Sequence, residues 1–272
     1  MRGTSRASLS AARRRLTAAL RDGERTEASA LGEELFAVTA LLDSEPALRR
    51  ALSDSSRDGA ARAGLADSLL RGKLSELSLE QLTLLVADRW SEASDLADAC
   101  EQLAVLAFAV SADKVGQLDE TEDELFRFGR IAAGNPDLRS ALSNWFAPVA
   151  ARTELVTTLL TGKVTAAALR LITQAAAQPR GRSLDASLEQ YARLAAQLRE
   201  QLLAVVRVAA PLSAEQRARL EEALSAAYGH DVHLNVVLDP EVIGGLSVRI
   251  GDQLINGSVA ARLAELRRGL AA

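Results

Sequence analysis

A single cysteine, Cys100, leaves no partner for an intrachain disulfide, and such a chain suits a reducing compartment. It lies in an apolar helical stretch, the setting of a buried small hydrophobe. Aromatic residues are only 3% of the 272-residue chain and prolines number 6. Strands are rich in aromatic and β-branched residues, so this scarcity beside abundant Ala and Leu favours packed helices. No apolar run is longer than Leu103 to Val110 (LAVLAFAV), far short of the roughly 20 residues of a spanning helix. Basic residues near the N-terminus are not followed by the apolar core of about 7–15 residues that marks a secretion signal. Positive charge is not in excess either. The formal net charge of −4 argues against a nucleic-acid surface, and Arg13-Arg14-Arg15 reads as a solvated helix face or end. The expectation is a soluble, cytoplasmic protein that meets a membrane only through a partner.

Chemical machinery is also missing. His230 and His233 stand three apart in a strand-like segment, where they point to opposite faces and cannot chelate one ion. The Gly-Lys pairs at 72–73 and 162–163 lack the earlier glycine of a phosphate loop, Asp67 and Thr157 standing there, and no Ser or Thr follows the lysine. Gly244-Gly245 leads into a strand rather than a helix, so it offers no helix N-terminus to a phosphate. Asn256-Gly257-Ser258 has sequon form, without meaning in a cytoplasmic chain. No spacing nominates an acid–base pair. The expectation is a protein with no catalytic residues, no cofactor and no metal.

What is present is a duplication. Residues 135–143 read NPDLRSALS and residues 45–53 read EPALRRALS, identical at six of nine positions. At the same offset of 90, Arg62 falls on Arg152, Leu65 on Leu155, Leu69-Leu70 on Leu159-Leu160, Gly72-Lys73 on Gly162-Lys163, Leu79 on Leu169 and Thr83 on Thr173. Within each copy the periodicity is helical. Leu31, Leu35, Val38 and Leu42 form one stripe, and Leu184, Leu188, Tyr191, Leu194, Leu198 and Leu202 another. Asn135 is placed to cap a helix whose first position is Pro136. Ser78 to Gln81 and Thr121 to Glu124 have capping-box form, and Gly72 and Gly162 suit left-handed helix stops. Each copy therefore predicts five or six short amphipathic helices packed into a bundle. A period of 90 is too long for one HEAT or tetratricopeptide unit, so a whole domain is repeated. The last helix of the first copy and the first of the second both fall at about 92–111, so the copies would share one helix.

Near residue 203 the period changes. Leu203 to Val208 is β-branched and short, Ser213 to Gln216 has capping-box form, and Val232, Leu234, Val236 and Leu238 alternate as in a strand. Leu246, Val248 and Ile250 alternate likewise, with Gly251-Asp252 as a hairpin turn into Gln253-Leu254-Ile255 and Ser258 capping a last helix. The predicted fold is mostly α with a C-terminal α+β domain. The predicted domains are a first bundle over 1–110, a second over 111–203, and a small mixed domain over 204–272.

The C-terminal stretch carries a resemblance. VAAPLS (208–213), a helix, HLNVVLDPEVIGGLSVRIGD (233–252) and INGSVAARL (255–263) resemble the delta subunit of bacterial F-type ATP synthase, a relative of the mitochondrial oligomycin-sensitivity-conferring protein. Asp239, Gly244, Gly245, Gly251, Asp252, Gly257, Ser258, Arg262 and Leu263 sit on the family motif. Asn256 stands where the family has Asp, a replacement that still tolerates a turn. The resemblance covers residues 114 to 272. The first helical copy is extra, as in long actinobacterial versions. Read physically, the glycines permit turns and close approach while Ser258 caps, so the motif specifies fold before contact.

The resemblance implies a non-catalytic stator subunit at the cytoplasmic face of the cell membrane. Its bundle would grip N-terminal segments of alpha subunits of the catalytic head. Its C-terminal domain would hold the C-terminal part of the b subunit. The second copy, directly before the small domain, is the expected grip, with Phe126, Phe128, Trp145 and Phe146 as either core or contact. A helical adaptor outside the synthase is the alternative that duplication alone allows.

Overall fold

The computed structural model describes residues 3–144, 146–209, 211–228, 233–239, 246–250 and 253–256. Among these are twelve α-helices and four strands, in two compact units divided at Ala196 and Gln197.

The first unit is helical. Its elements run α1 (Gly3–Leu20), α2 (Arg25–Ser44), α3 (Pro46–Ser53), α4 (Gly59–Leu70), α5 (Glu76–Ala87), α6 (Ala93–Asp113), α7 (Leu118–Gly134), α8 (Pro136–Ser143), α9 (Val149–Leu160), α10 (Ala166–Ala177) and the greater part of α11 (Leu184–Leu202). Shifting α3, α4 and α5 by 90 reproduces the bounds of α8, α9 and α10. By the same shift α1 falls on α6, α2 on α7 and α6 on α11. Helix α6 is thus the last helix of one copy and the first of the next, as the spacing predicts. It packs against α1, α2 and α3 and also against α7 and α10. A helix enclosed on all sides has no need of a polar face, which accounts for LAVLAFAV: every residue from Leu103 to Ala112 is buried.

The repeated stops and starts are local chemistry. Gly72 and Gly162 have φ of 75° and 73°, and the next amide closes each helix, Lys73 N onto the Leu70 carbonyl and Lys163 N onto that of Leu160. Asn135 accepts from the Leu138 amide, with Pro136 in the first turn. Two expected caps differ. The N-cap of α5 lies three residues before Ser78: Ser75 accepts from the Ser78 amide, while Glu34 of α2 takes the Ser75 amide and hydroxyl. Thr121 lies inside α7, buried, with its Oγ1 2.9 Å from Thr165 Oγ1. Thr165 is the N-cap of α10 and gives its amide and hydroxyl to Glu124. In both copies a carboxylate from a neighbouring helix thus binds the equivalent N-cap residue, Ser75 of α5 and Thr165 of α10, while α7 itself starts after Gln117 with no side-chain cap. The arginine run differs as well. Arg13 Nη2 donates to Gln102 of α6, and Arg15 pairs with Asp88 at 2.5 Å. Only Arg14 of the three is exposed.

The second unit carries β1 (Leu203–Val208), α12 (Ala214–Tyr228), β2 (His233–Leu238), β3 (Leu246–Ile250) and β4 (Gln253–Asn256), in sheet order β2-β1-β3-β4. β1 and β2 are parallel, as a helical crossover requires, and the other pairs are antiparallel. The Ser213 amide donates to Gln216 Oε1 and the Gln216 amide to Ser213 Oγ, the reciprocal box read from the sequence. Val206, Val208, Leu224, Leu234 and Val248 form the core. Arg207, Asn235, Val237 and Arg249 are exposed, so one face of the sheet is apolar and the other polar.

Candidate partner-binding surface

Inside the helical unit the two copies meet through charge and rings. Arg170 of α10 pairs with Glu33 of α2 at 2.5 and 2.6 Å. Its guanidinium carbon lies 5.1 Å from the Phe36 centroid and 5.8 Å from that of Phe108, and these rings stack 5.8 Å apart. Nearby, Glu101 of α6 is 1% exposed. It accepts from Arg180 at 2.7 Å, from Tyr191 Oη at 2.7 Å and from Arg182 Nη2. Arg180 also reaches Asp43 at 2.6 Å and Asp98 at 3.0 Å. Its backbone has φ 51°, a strained conformation for a side-chain-bearing residue, held by three carboxylates. Burial works to lower the Arg180 pKa, but the hydrogen bond to Asp43 and the charges of Glu101 and its neighbours raise it overall. Burial raises the pKa of Asp98 and, with the Glu101 charge beside it, holds Tyr191 well above the usual phenol range. Burial also pushes the Cys100 thiol up to about 12, so that residue packs and does not react.

The outer surfaces of the copies are not alike. Phe128 is buried in the core, whereas Phe126 is 53% exposed and Phe146 is 99% exposed. Trp145 lies outside the described residues. Ile131, Val149 and Leu159 are exposed too, so copy two presents large apolar side chains on α7, α9 and the segment before α9. Four of the five counterparts in copy one are muted: Phe36 is 2% exposed, Leu41 is half-buried, and Ser56 and Gly59 replace Phe146 and Val149, while Leu69, like Leu159, is exposed. Polar satisfaction follows the same asymmetry. Buried Arg62 donates to the carbonyls of Asp88 and Ala87 at 2.9 and 3.1 Å, closing the end of α5. Its counterpart Arg152 is similarly buried, and while Nε has no partner in either residue, Arg152 Nη1 has none as well.

Of the C-terminal motif, Asp239 follows β2, its amide bonded to the Val208 carbonyl and its carboxylate 3.5 Å from Arg207. Gly244, Gly245, Gly251, Asp252, Gly257, Ser258, Arg262 and Leu263 lie outside the described residues, as does His230. Among the described residues there is no cluster of three metal-ligating side chains, and no helix is long and apolar enough to cross a membrane. An open cleft at the ends of α3 and α5 is lined by Arg50, Asp54, Trp90 and Glu92, with no histidine, lysine or cysteine.

The family described as ATP synthase delta (OSCP) subunit matches residues 103–270, from α6 onward. Similarity to whole proteins extends further back. The ATP synthase subunit delta of Streptomyces avermitilis is 48% identical over 99% of this chain and 98% of that protein. Those of Streptomyces griseus and Thermobifida fusca are 47% and 46% identical, each over 100% of both chains. The first helical copy is therefore shared with these relatives.

Proposed function

The chain belongs to the ATP synthase delta (OSCP) subunit family, in its long actinobacterial form, and on that premise we propose how it acts as a component of the peripheral stalk. Its second helical copy grips N-terminal segments of the alpha subunits. The α+β domain holds the C-terminal part of the b subunit. Together they resist rotor torque at the cytoplasmic face of the membrane, and the chain itself catalyses nothing. The division into a first bundle over 1–110, a second over 111–203 and a small domain over 204–272 is the working scheme of this reading.

The observation that carries it is the one-sided display of apolar side chains. A joint that holds under load needs nanomolar affinity, about −12 kcal/mol, most of it from a few large anchors. Burying one phenylalanine contributes about 1.5–3 kcal/mol. Phe126 and Phe146, together with Ile131 and Val149, can supply much of that total. In copy one the counterpart of Phe126, Phe36, is buried with Arg170 of copy two over its ring. Motif residues Gly244, Gly245, Gly251, Asp252, Gly257, Ser258, Arg262 and Leu263 shape the domain that holds b, with Asp239 closing β2.

The test is calorimetric titration of the full chain with a peptide of the alpha N-terminal segment. Phe146→Ser should weaken binding about tenfold or more without lowering the melting temperature, since the ring touches little else in the free chain. Unchanged affinity for both Phe146→Ser and Phe126→Ser would remove copy two as the grip. Deleting copy one is not a clean alternative, because α6 would lose its cover.

A further inference from the structure

One corner of the bundle is built twice and fastened once. In copy one α4 starts hard against the end of α5: a Cβ on Gly59 would stand 2.6 Å from the Ala87 carbonyl oxygen. Arg62, one turn along α4, donates to the Asp88 and Ala87 carbonyls at 2.9 and 3.1 Å, groups that a helix end leaves without an intrahelical partner. The Asp54 carboxylate also feels the Arg62 charge. Copy two keeps the arginine and changes what surrounds it. Val149 stands in place of Gly59, Asn144 in place of Asp54 and Gln178 in place of Asp88. Val149 is 49% exposed, and Arg152 is 5% exposed with neither Nε nor Nη1 bonded. Burial is thinner too. Helices α8 and α9 bury only Leu142, Arg152 and Val156, whereas α3 buries two residues and α4 three.

We propose that α9 is a flap that opens locally from α10 in the native chain, while its counterpart α4 stays shut on α5. Val149 is the wedge and Arg152 the unfastened catch. A side chain at the Gly59 position meets the carbonyl oxygen that Gly59 abuts, so α9 cannot approach the end of α10 as closely as α4 approaches α5. The arginine is then left short of the carbonyls its twin reaches. The energetic sign follows from what opening does to each guanidinium. Opening α4 breaks two charge-assisted hydrogen bonds. Opening α9 returns a buried, under-bonded cation to water, which favours the open form. Segments with few buried residues are also those that open first. The flap is a property of the free chain and does not depend on which copy grips the catalytic head.

The experiment is amide hydrogen exchange of the full chain, read residue by residue by NMR and corrected for intrinsic rates. Each amide of residues 153–160 is compared with its partner 90 positions earlier, and α9 should exchange at least tenfold faster than α4. Arg62→Gln should speed α4 at least tenfold, whereas Arg152→Gln should leave α9 unchanged or slower. Val149→Gly with Asn144→Asp rebuilds the copy-one corner, and Asp keeps the acceptor that Asn144 offers the Phe146 amide. That pair should slow α9 at least tenfold, and adding Arg152→Gln should abolish the gain. Val149→Ala keeps the Cβ and should not slow α9, the reverse of helix propensity, since glycine is the poorer helix former. Equal exchange in α4 and α9 of the parent overturns the proposal. So does an Arg152→Gln chain whose α9 exchanges tenfold faster, or slowing by Val149→Ala as large as that of the rebuilt corner. Failure of the parent to bind the catalytic head would contradict the function proposed above and leave the exchange result standing.

Discussion

Replacing Glu101 by Gln tests the seam at its most connected point. The side chain is 1% exposed and takes hydrogen bonds from Arg180, Arg182 and Tyr191. Gln keeps the size but loses the charge, and its amide N–H₂ must point at one of three donors. A hydrogen bond to a charged group contributes about 1.5–3 kcal/mol and a neutral one about 1. Arg180 keeps Asp43 and Asp98, and Arg182 keeps Gln190, so neither cation is stranded. The net loss is then about 3 kcal/mol. For a helical unit of this size, about 2–4 °C is lost per kcal/mol, so calorimetry should show melting roughly 6–12 °C lower. Arg182→Ala added to Glu101→Gln should cost much less than in the parent, since the two share one interaction. A Glu101→Gln chain that melts within about 2 °C of the parent would refute the reasoning.

Other outcomes follow from single positions. Gly32→Ala should destabilise despite a helix-propensity gain of about 1 kcal/mol, because its Cβ would stand 2.6 Å from the Phe108 ring and overpacking costs about 1–3 kcal/mol; an increase in melting temperature would contradict this. Gly72→Ala and Gly162→Ala should each cost about 1–2 kcal/mol and by similar amounts, since both adopt left-handed backbone with nothing within 4 Å of an added Cβ; unequal losses in denaturant titration would show that the stops are not equivalent. Cys100, fully buried with its thiol pushed up to about 12, stays protonated and shielded at pH 8. It should react with a thiol reagent only as fast as the unit opens, and immediate stoichiometric labelling of the native chain would contradict its placement.

Where local chemistry decides, the sequence was legible: Pro136 after Asn135, the paired glycines, and the alternation of β2 all correspond to the elements seen. The offset of 90 revealed the shared helix because duplication leaves no residues for a separate one. The two misplaced caps fail differently: Glu34 arrives from α2 to satisfy Ser75, the true cap of α5, while α7 begins already at Leu118 and its Thr121 and Glu124 turn instead to Thr165 of α10. The seam was not legible. Arg170 and Glu33 are separated by 137 positions, as are Arg180 and Asp43, and no helical or strand period links them.

In the function proposed above the chain holds other subunits still and does no chemistry. The most direct test is ATP-driven proton pumping by membranes stripped of this chain, before and after the purified chain is returned. Pumping should be absent when it is missing and return on addition, while the chain alone hydrolyses no ATP. Pumping that persists without it, or nucleotide turnover by the purified chain, would contradict the account.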